Sequence, residues 1–400
     1  MKRVVPALLP LIAGCNLITG ADEFEIGGAG GTQSSNGGSL PNGASGPGPS
    51  TGPGPGSGGA GGDATTTTGT GDTTTSTTTS TSTGGPMCAV QCAANEHCDL
   101  ATETCVCDPG FVDQGGSCSP VDPGDPSVRT SAEVCDQWAA GHVVTDPSPF
   151  SSSGAECDAG TLSQGGLDDT LTRINLYRWL SGLGPTFDDP GLNAIDQKCA
   201  NLESWWNFGM PESPHSPPAT SKCYTAEGAQ GAGMSNIAWG NGPADSIDQF
   251  IEDNGNETTM GHRRWIVNPP LGPVGIGYWE GGGTYGRAEC LAVFGSSGQG
   301  PFPAWVAVPN QGYVPLTVAQ WTWTFHGNDS AIANATVSVV RVDDNTPLAV
   351  TIRTLSQGFG QYAISWVPSG WQAEAGKTYR VTIGSLSGGD ITYDVKPISC

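Results

Sequence analysis

The chain has 400 residues, of which 13% are charged, with 61 glycines, 31 prolines and a formal net charge of -23. An acidic surface of this kind (sequence pI about 4.2) repels phosphate backbones, which argues against nucleic acid as a partner. So much Gly and Pro at so little charge means that part of the chain is not packed globule, and the length predicts two or three domains.

The chain opens "MKRVVPALLPLIAGC". Lys2 and Arg3 form a positive start, Val4 to Ile12 is a short apolar run, and small residues follow, the pattern of a secretory signal peptide over 1–15. Its end, Leu11-Ile12-Ala13-Gly14-Cys15, resembles the bacterial lipobox. The resemblance implies cleavage before Cys15, diacylglycerol on its sulfur and an acylated amine. Three acyl chains would anchor the protein to a membrane, since two signals already suffice. An ordinary signal peptide with an incidental Cys is the rival reading. No later run approaches the ~20 apolar residues of a spanning helix. The expected location is the bacterial cell envelope, as an outer-membrane lipoprotein facing the periplasm or the cell surface. Setting Cys15 aside, the 13 cysteines leave an even number, which suits disulfides in an exported chain.

Residues 16–86 are low complexity, with "GPGPSTGPGPGSGGAGG" followed by a Thr/Ser run. Almost nothing here can be buried, so a disordered tether spanning roughly 40–50 Å is expected. Residues 87–119 hold six cysteines spaced C-x3-C-x5-C-x6-C-x-C-x10-C. This spacing, with "CVCDPGFVDQGGSC", resembles an EGF-like module. The resemblance implies the pairs Cys88–Cys98, Cys92–Cys105 and Cys107–Cys118. So small a module lacks a core of its own and needs such bridges. "GGPM" precedes Cys88 where calcium-binding variants carry acids, so no calcium site is expected.

After a connecting segment, 120–166, the pattern becomes helical. Leu167, Leu171, Ile174, Tyr177 and Leu180 recur at helical steps, and Gly182 and Gly184 end the run. A second helix starts after Asp189 with Pro190 in its first turn, and Leu192, Ile195, Cys199, Leu202 and Trp206 share one face. A third runs from Pro243 to about Asp253. "VGIGYW" (274–279) and "AECLAVFG" (288–295) read as strands. Residues 167–300 are therefore predicted to be an α+β domain. From 301 to 400, segments such as "TVSVVRV" and "QYAISWV" alternate between turn residues, predicting an all-β, immunoglobulin-like sandwich. Trp321, Trp323 and Trp366 read as its buried core rather than as a glycan platform.

The chain lacks H-E-x-x-H, G-x-S-x-G, phosphate-loop and dinucleotide fingerprints. Cys135, Cys157, Cys199, Cys223, Cys290 and Cys400 show no C-x2-C spacing, so three bridges of unreadable connectivity are expected. Four pieces of 167–295 come in a telling order: "INLYRWLSGLGPTFDDPGLNAIDQKCA", "PHSPP", "SNIAWG" and "SIDQFIEDNGNETTMGHRRWIVNPPLGPVGIGYW". Together they resemble the CAP superfamily of cysteine-rich secretory, antigen 5 and pathogenesis-related proteins.

That resemblance implies a three-layer αβα sandwich with a cleft holding two histidines and two acids. Carried over residue by residue, the histidines are His215 and His262, and one acid is Asp253, with Glu252 the near alternative. The second acid falls at position 235, where this chain has Ser235; Glu227 is a candidate substitute. Two imidazoles with carboxylates hold zinc (Zn2+) or relay protons, but a hydroxyl is a poor zinc ligand, so the set is weakened. The plainer reading of "GHRR" is a helix cap whose arginines pair at the surface with Asp253, Glu257 or Glu289. His97 and His142 are given no role, and His326 is read as a strand-surface residue.

Three functions follow. The first is a tethered extracytoplasmic binding protein that takes a lipid, glycan or protein partner in its cleft and on its β-sandwich. The second is a hydrolase in which His215 and His262 activate water and Asp253 orients a ring. The third is a structural adhesion protein with a vestigial cleft. The lost acid at 235 and the missing nucleophile signatures weigh against an enzyme.

Overall fold

The computed structural model describes Cys92 and residues 96–99, 104–107, 111–207, 212–295, 297–298, 300 and 302–400. The signal segment with Cys15, the 16–86 tether and Cys88, hence the implied Cys88–Cys98 bridge, lie outside the described residues. The N-terminal module is two short antiparallel ribbons. β1 (Glu96–Asp99) pairs with β2 (Thr104–Cys107), and β3 (Phe111–Asp113) with β4 (Cys118–Pro120). Strands this short bury little. Disulfides Cys92–Cys105 and Cys107–Cys118 tie them, both being pairs implied by the EGF-like spacing. Each loop closure removes about 3 kcal/mol of unfolded-state entropy.

The segment read as a connector contains a helix, α1 (Ser131–Gly141). Thr130 and Glu133 form a capping box at its start, each side chain bonding the other's backbone N–H. A small hairpin follows, β5 (Phe150–Ser151) with β6 (Thr161–Leu162). Next come α2 (Gln164–Leu180), capped by Ser163, and α3 (Pro190–Ser204), capped by Asp189 with Pro190 in the first turn as expected. Gly182 adopts φ 73° just past α2, a left-handed turn that glycine enters without strain. Then follow α4 (Ala226–Met234), β7 (Ser235–Trp239), α5 (Pro243–Glu252), α6 (Gly261–Ile266), β8 (Gly275–Glu280) and β9 (Arg287–Ala292).

β7, β9 and β8 form one antiparallel sheet in that order. Strand alternation sends successive side chains to opposite faces. Cys290 of β9 is bonded to Cys199 of α3, while its neighbour Leu291 packs with Ile174, Ile247 and Ile251 of α2 and α5. Helices therefore cover both faces. α3 lies so close to β8 that a Cβ on Gly277 would sit 2.0 Å from the Asp196 carbonyl carbon.

The last hundred residues form two sheets. β10 (Trp305–Val308), β12 (Trp323–Gly327), β16 (Tyr362–Pro368) and β15 (Val350–Thr354) make the first. β11 (Gly312–Pro315), β18 (Ile391–Ile398), β17 (Tyr379–Gly384), β13 (Thr336–Arg341) and β14 (Thr346–Leu348) make the second. A single-turn helix, α7 (Leu316–Ala319), joins β11 towards β12. Phe325 and Ile364 of one sheet meet Val381 and Val395 of the other in a common core with Trp323 and Trp366. Trp321 instead packs against the helical half.

The two halves share a second core, in which Val306, Val308 and Val318 join Ile251 and Val267. Cys135 of α1 is bonded to the terminal Cys400, and Cys157 to Cys223. Cys88–Cys400 belong to one compact unit, and the other unit, Phe24–Met87, lies outside the described residues. The chain is α+β. Among the described residues no helix is long and apolar enough to cross a membrane.

His326 corrects an expectation. It is 2% exposed, not a strand-surface residue. β12 has both faces covered, Phe325 facing the sandwich core and Thr324 facing the α6 arginines, so alternation there does not mark a wet side.

Candidate functional site

The end of α5 and the start of α6 place an acid against an imidazole. Asp253 caps α5 in the left-handed region (φ 57°) and its N–H donates to Gln249 O. Met260, also left-handed at φ 49°, turns the chain into α6. His262 Nδ1 then donates to Asp253 Oδ1 at 2.8 Å, with the carboxylate 1% exposed. A carboxylate only accepts, so Nδ1 carries a proton, and Nε2 is an acceptor whenever the ring is uncharged. That Nε2 is buried and has no hydrogen-bond partner. The ring lies 5.2 Å from Phe250, and Asn236 of β7 donates to the His262 carbonyl at 3.0 Å.

His215 comes from the loop before α4. Its Nδ1 donates to Ala232 O at 2.9 Å, which leaves Nε2 as the second acceptor of the pair. Burial pushes its pKa down to about 4; the Ala232 carbonyl opposes the shift and a charge on His262 adds to it. His215 is neutral through the physiological range.

Ser235 is held by partners of its own. Its Oγ is 3.0 Å from Asp196 Oδ1 and 2.7 Å from Gly231 O. One hydroxyl proton cannot serve both neighbours. The Ser235 proton goes to the carboxyl or to the carbonyl; burial pushes the Asp196 pKa above the usual carboxylate range, and the hydrogen bonds from Ala292 and Ser235 oppose that shift. The other Asp196 oxygen accepts from Ala292 N at 2.6 Å. An acid does stand beside position 235, but it comes from α3. Its signal in the sequence is a lone Asp on the buried helix face of Cys199. Of the other candidates, Glu227 pairs with Lys198 at 3.9 Å on a half-exposed surface, and Glu252 offers its carbonyl to Arg263. His142, given no role, donates from Nδ1 to Trp138 O at 2.7 Å, with its Nε2 3.7 Å from Asp248.

Arg263 and Arg264 correct the surface-pairing expectation, since both are buried. Their guanidiniums donate to backbone carbonyls rather than to carboxylates, Arg263 to Ile251 and Thr322 and Arg264 to Thr259, Ser356 and Gln361. Glu289, one of the expected partners, is buried within the sheet, and burial raises its pKa. His262 does pair with Asp253, but inside the protein.

The donor set does not fit a zinc ion. Engaged Nδ1 atoms leave two imidazole Nε2 atoms as ligands, but Asp253 accepts from His262, Asn256 and Arg263 and Ser235 faces Asp196, so the set falls short of the three or four protein ligands of a zinc site. Among the described residues no group of three or more His, Cys, Asp or Glu side chains is arranged to hold a metal. The site offers two imidazole acceptors, one of them oriented by a buried carboxylate.

Comparison of the chain with known protein families finds no match, and none is found among curated proteins.

Proposed function

We propose that this chain is a lipid-anchored envelope protein of CAP type that binds a ligand in the cleft of His215 and His262. The supporting observation is His262 Nε2, a buried acceptor without a partner, fixed in one tautomer by Asp253. A neutral His215 beside it and Phe250 behind it favour an uncharged ligand with a hydroxyl donor and an apolar body, of lipid or sterol type. Helices on both faces of the β7-β9-β8 sheet fit the three-layer CAP sandwich, and the paired sheets fit an immunoglobulin-like partner domain. The five disulfides among the described residues suit an oxidising, extracytoplasmic compartment. The test is equilibrium binding of the full chain to hydroxylated lipids and sterols, with glycans and envelope polymers alongside. Saturable binding that weakens at least about tenfold in His262→Ala supports the reading, since a buried partner left unpaired costs ~1–3 kcal/mol. No saturable binding to any of these ligands sinks it.

A hydrolase is the second reading, favoured by the same Asp253–His262 geometry. A carboxylate on Nδ1 leaves Nε2 able to take a proton from water. Ester or peptide hydrolysis unaltered by His262→Ala would rule that role out.

A further inference from the structure

Arg263 follows His262 on α6, and its guanidinium reaches three places at once. Nε donates to Ile251 O at 2.5 Å and Nη2 to Glu252 O at 3.2 Å. These are last-turn carbonyls of α5, which its own helix leaves unpaired, and Glu252 is bonded directly to Asp253. Nη1 donates to Thr322 O at 2.5 Å, just before β12, and approaches Thr324 Oγ1 at 3.4 Å. The backbone N–H of Arg263 donates to Asp253 Oδ2 at 3.3 Å.

We infer that Arg263 is the positioning residue of the Asp253–His262 pair, and that the β-sandwich, through Thr322, is part of the scaffold of the histidine site. One rigid fork holds the helix end that carries Asp253, the helix that carries His262, and the edge of β12. Lysine cannot replace it, because a point charge on a flexible stem does not span carbonyls on two elements. Arg264 is the internal contrast. It reaches the same sandwich through Ser356 O (2.6 Å) and Gln361 O (2.8 Å), and the preceding loop through Thr259 O (3.0 Å), with no bond to the last turn of α5. Both arginines tie the halves together; only Arg263 also sets the acid against the imidazole. The inference rests on the histidine cleft being the site, but its test needs no ligand, so a failed binding experiment leaves it standing.

The experiment is proton exchange of the His262 Nδ1–H in the full chain uniformly labelled with 15N. A proton shared with a buried carboxylate resonates downfield and exchanges slowly; its loss in His262→Gln assigns it. Arg263→Lys is expected to speed that exchange at least about tenfold and Arg264→Lys less than about threefold, while core amides of β17 exchange as in the wild type. Equal effects of the two variants, or slow exchange persisting in Arg263→Lys, overturn the assignment. If Arg263→Lys does not fold, the wild type is read instead. The Arg263 Nε–H and the His262 Nδ1–H must then show one common urea dependence of exchange, and two different dependences overturn it.

Discussion

Replacing His215 by Asn keeps a donor for the Ala232 carbonyl and removes a titrating ring. The folded pKa of His215, about 4, lies below its unfolded value of 6.5. Folding therefore favours the neutral ring. The stability this gives is present above about pH 6.5 and is lost as pH falls towards 4. At 1.36 kcal/mol per unit the full shift corresponds to about 3 kcal/mol, and residual solvent contact of the half-buried ring reduces this to roughly 2 kcal/mol. Asp196, Glu203 and Glu289 work in the opposite direction. Burial raises their pKa values, so their contribution is present at low pH and is lost as pH rises. His326, whose pKa burial lowers, acts like His215. All four are common to both proteins and cancel in the difference. Urea unfolding of wild type and His215→Asn at pH 7.5, 5.5 and 4, with disulfides intact, measures it. The wild-type advantage should shrink by roughly 2 kcal/mol across that range. A difference that stays constant within about 0.5 kcal/mol would show that the ring titrates alike in both states, and the burial argument for His215 would be wrong.

Residues 129–300 expressed alone should not unfold cooperatively in near-ultraviolet circular dichroism, because Arg263 and Arg264 lose their sandwich carbonyls and Cys135 loses Cys400. A native-like, cooperative fragment would contradict the shared core. Trp366→Ala should lower stability by about 3–5 kcal/mol, read as a shift of the urea midpoint, since a fully buried indole leaves a cavity. Gly277→Ala should prevent native folding, because its Cβ would overlap the Asp196 backbone on α3; normal yield of folded protein with Cys199–Cys290 formed would refute the packing. On mild reduction followed by alkylation and mass spectrometry, Cys135–Cys400, near the surface, should open before Cys199–Cys290, both of whose sulfurs are fully buried.

What the chain wrote locally was readable locally. Asp189 with Pro190, the 3–4 residue spacing of Leu171, Ile174 and Tyr177, and Gly182 each act within a turn or two, so α2 and α3 fall where periodicity and caps put them. α1 was legible in principle from the Thr130–Glu133 capping box, but its apolar stripe is narrow, with only Val134 and Gly141 buried. Two of the module's bridges, Cys92–Cys105 and Cys107–Cys118, are pairs that the EGF-like resemblance implied. Cys135–Cys400, 265 residues apart, was not readable, because nothing in either neighbourhood refers to the other. The motif "GHRR" shows the same limit. The CAP resemblance put His262 and Asp253 in one site, and they do meet, nine residues and one turn apart. The plainer reading put the two arginines at the surface, because in isolation a charge belongs in water. Only the tertiary structure supplies the compensation: carbonyls of Thr322, Ser356 and Gln361, brought from 59 to 97 residues away, accept from guanidiniums that burial would otherwise make too costly. Asp196 beside Ser235 was hidden for the same reason. Which groups are buried together is settled by packing between distant segments, and that packing is a property of the whole fold.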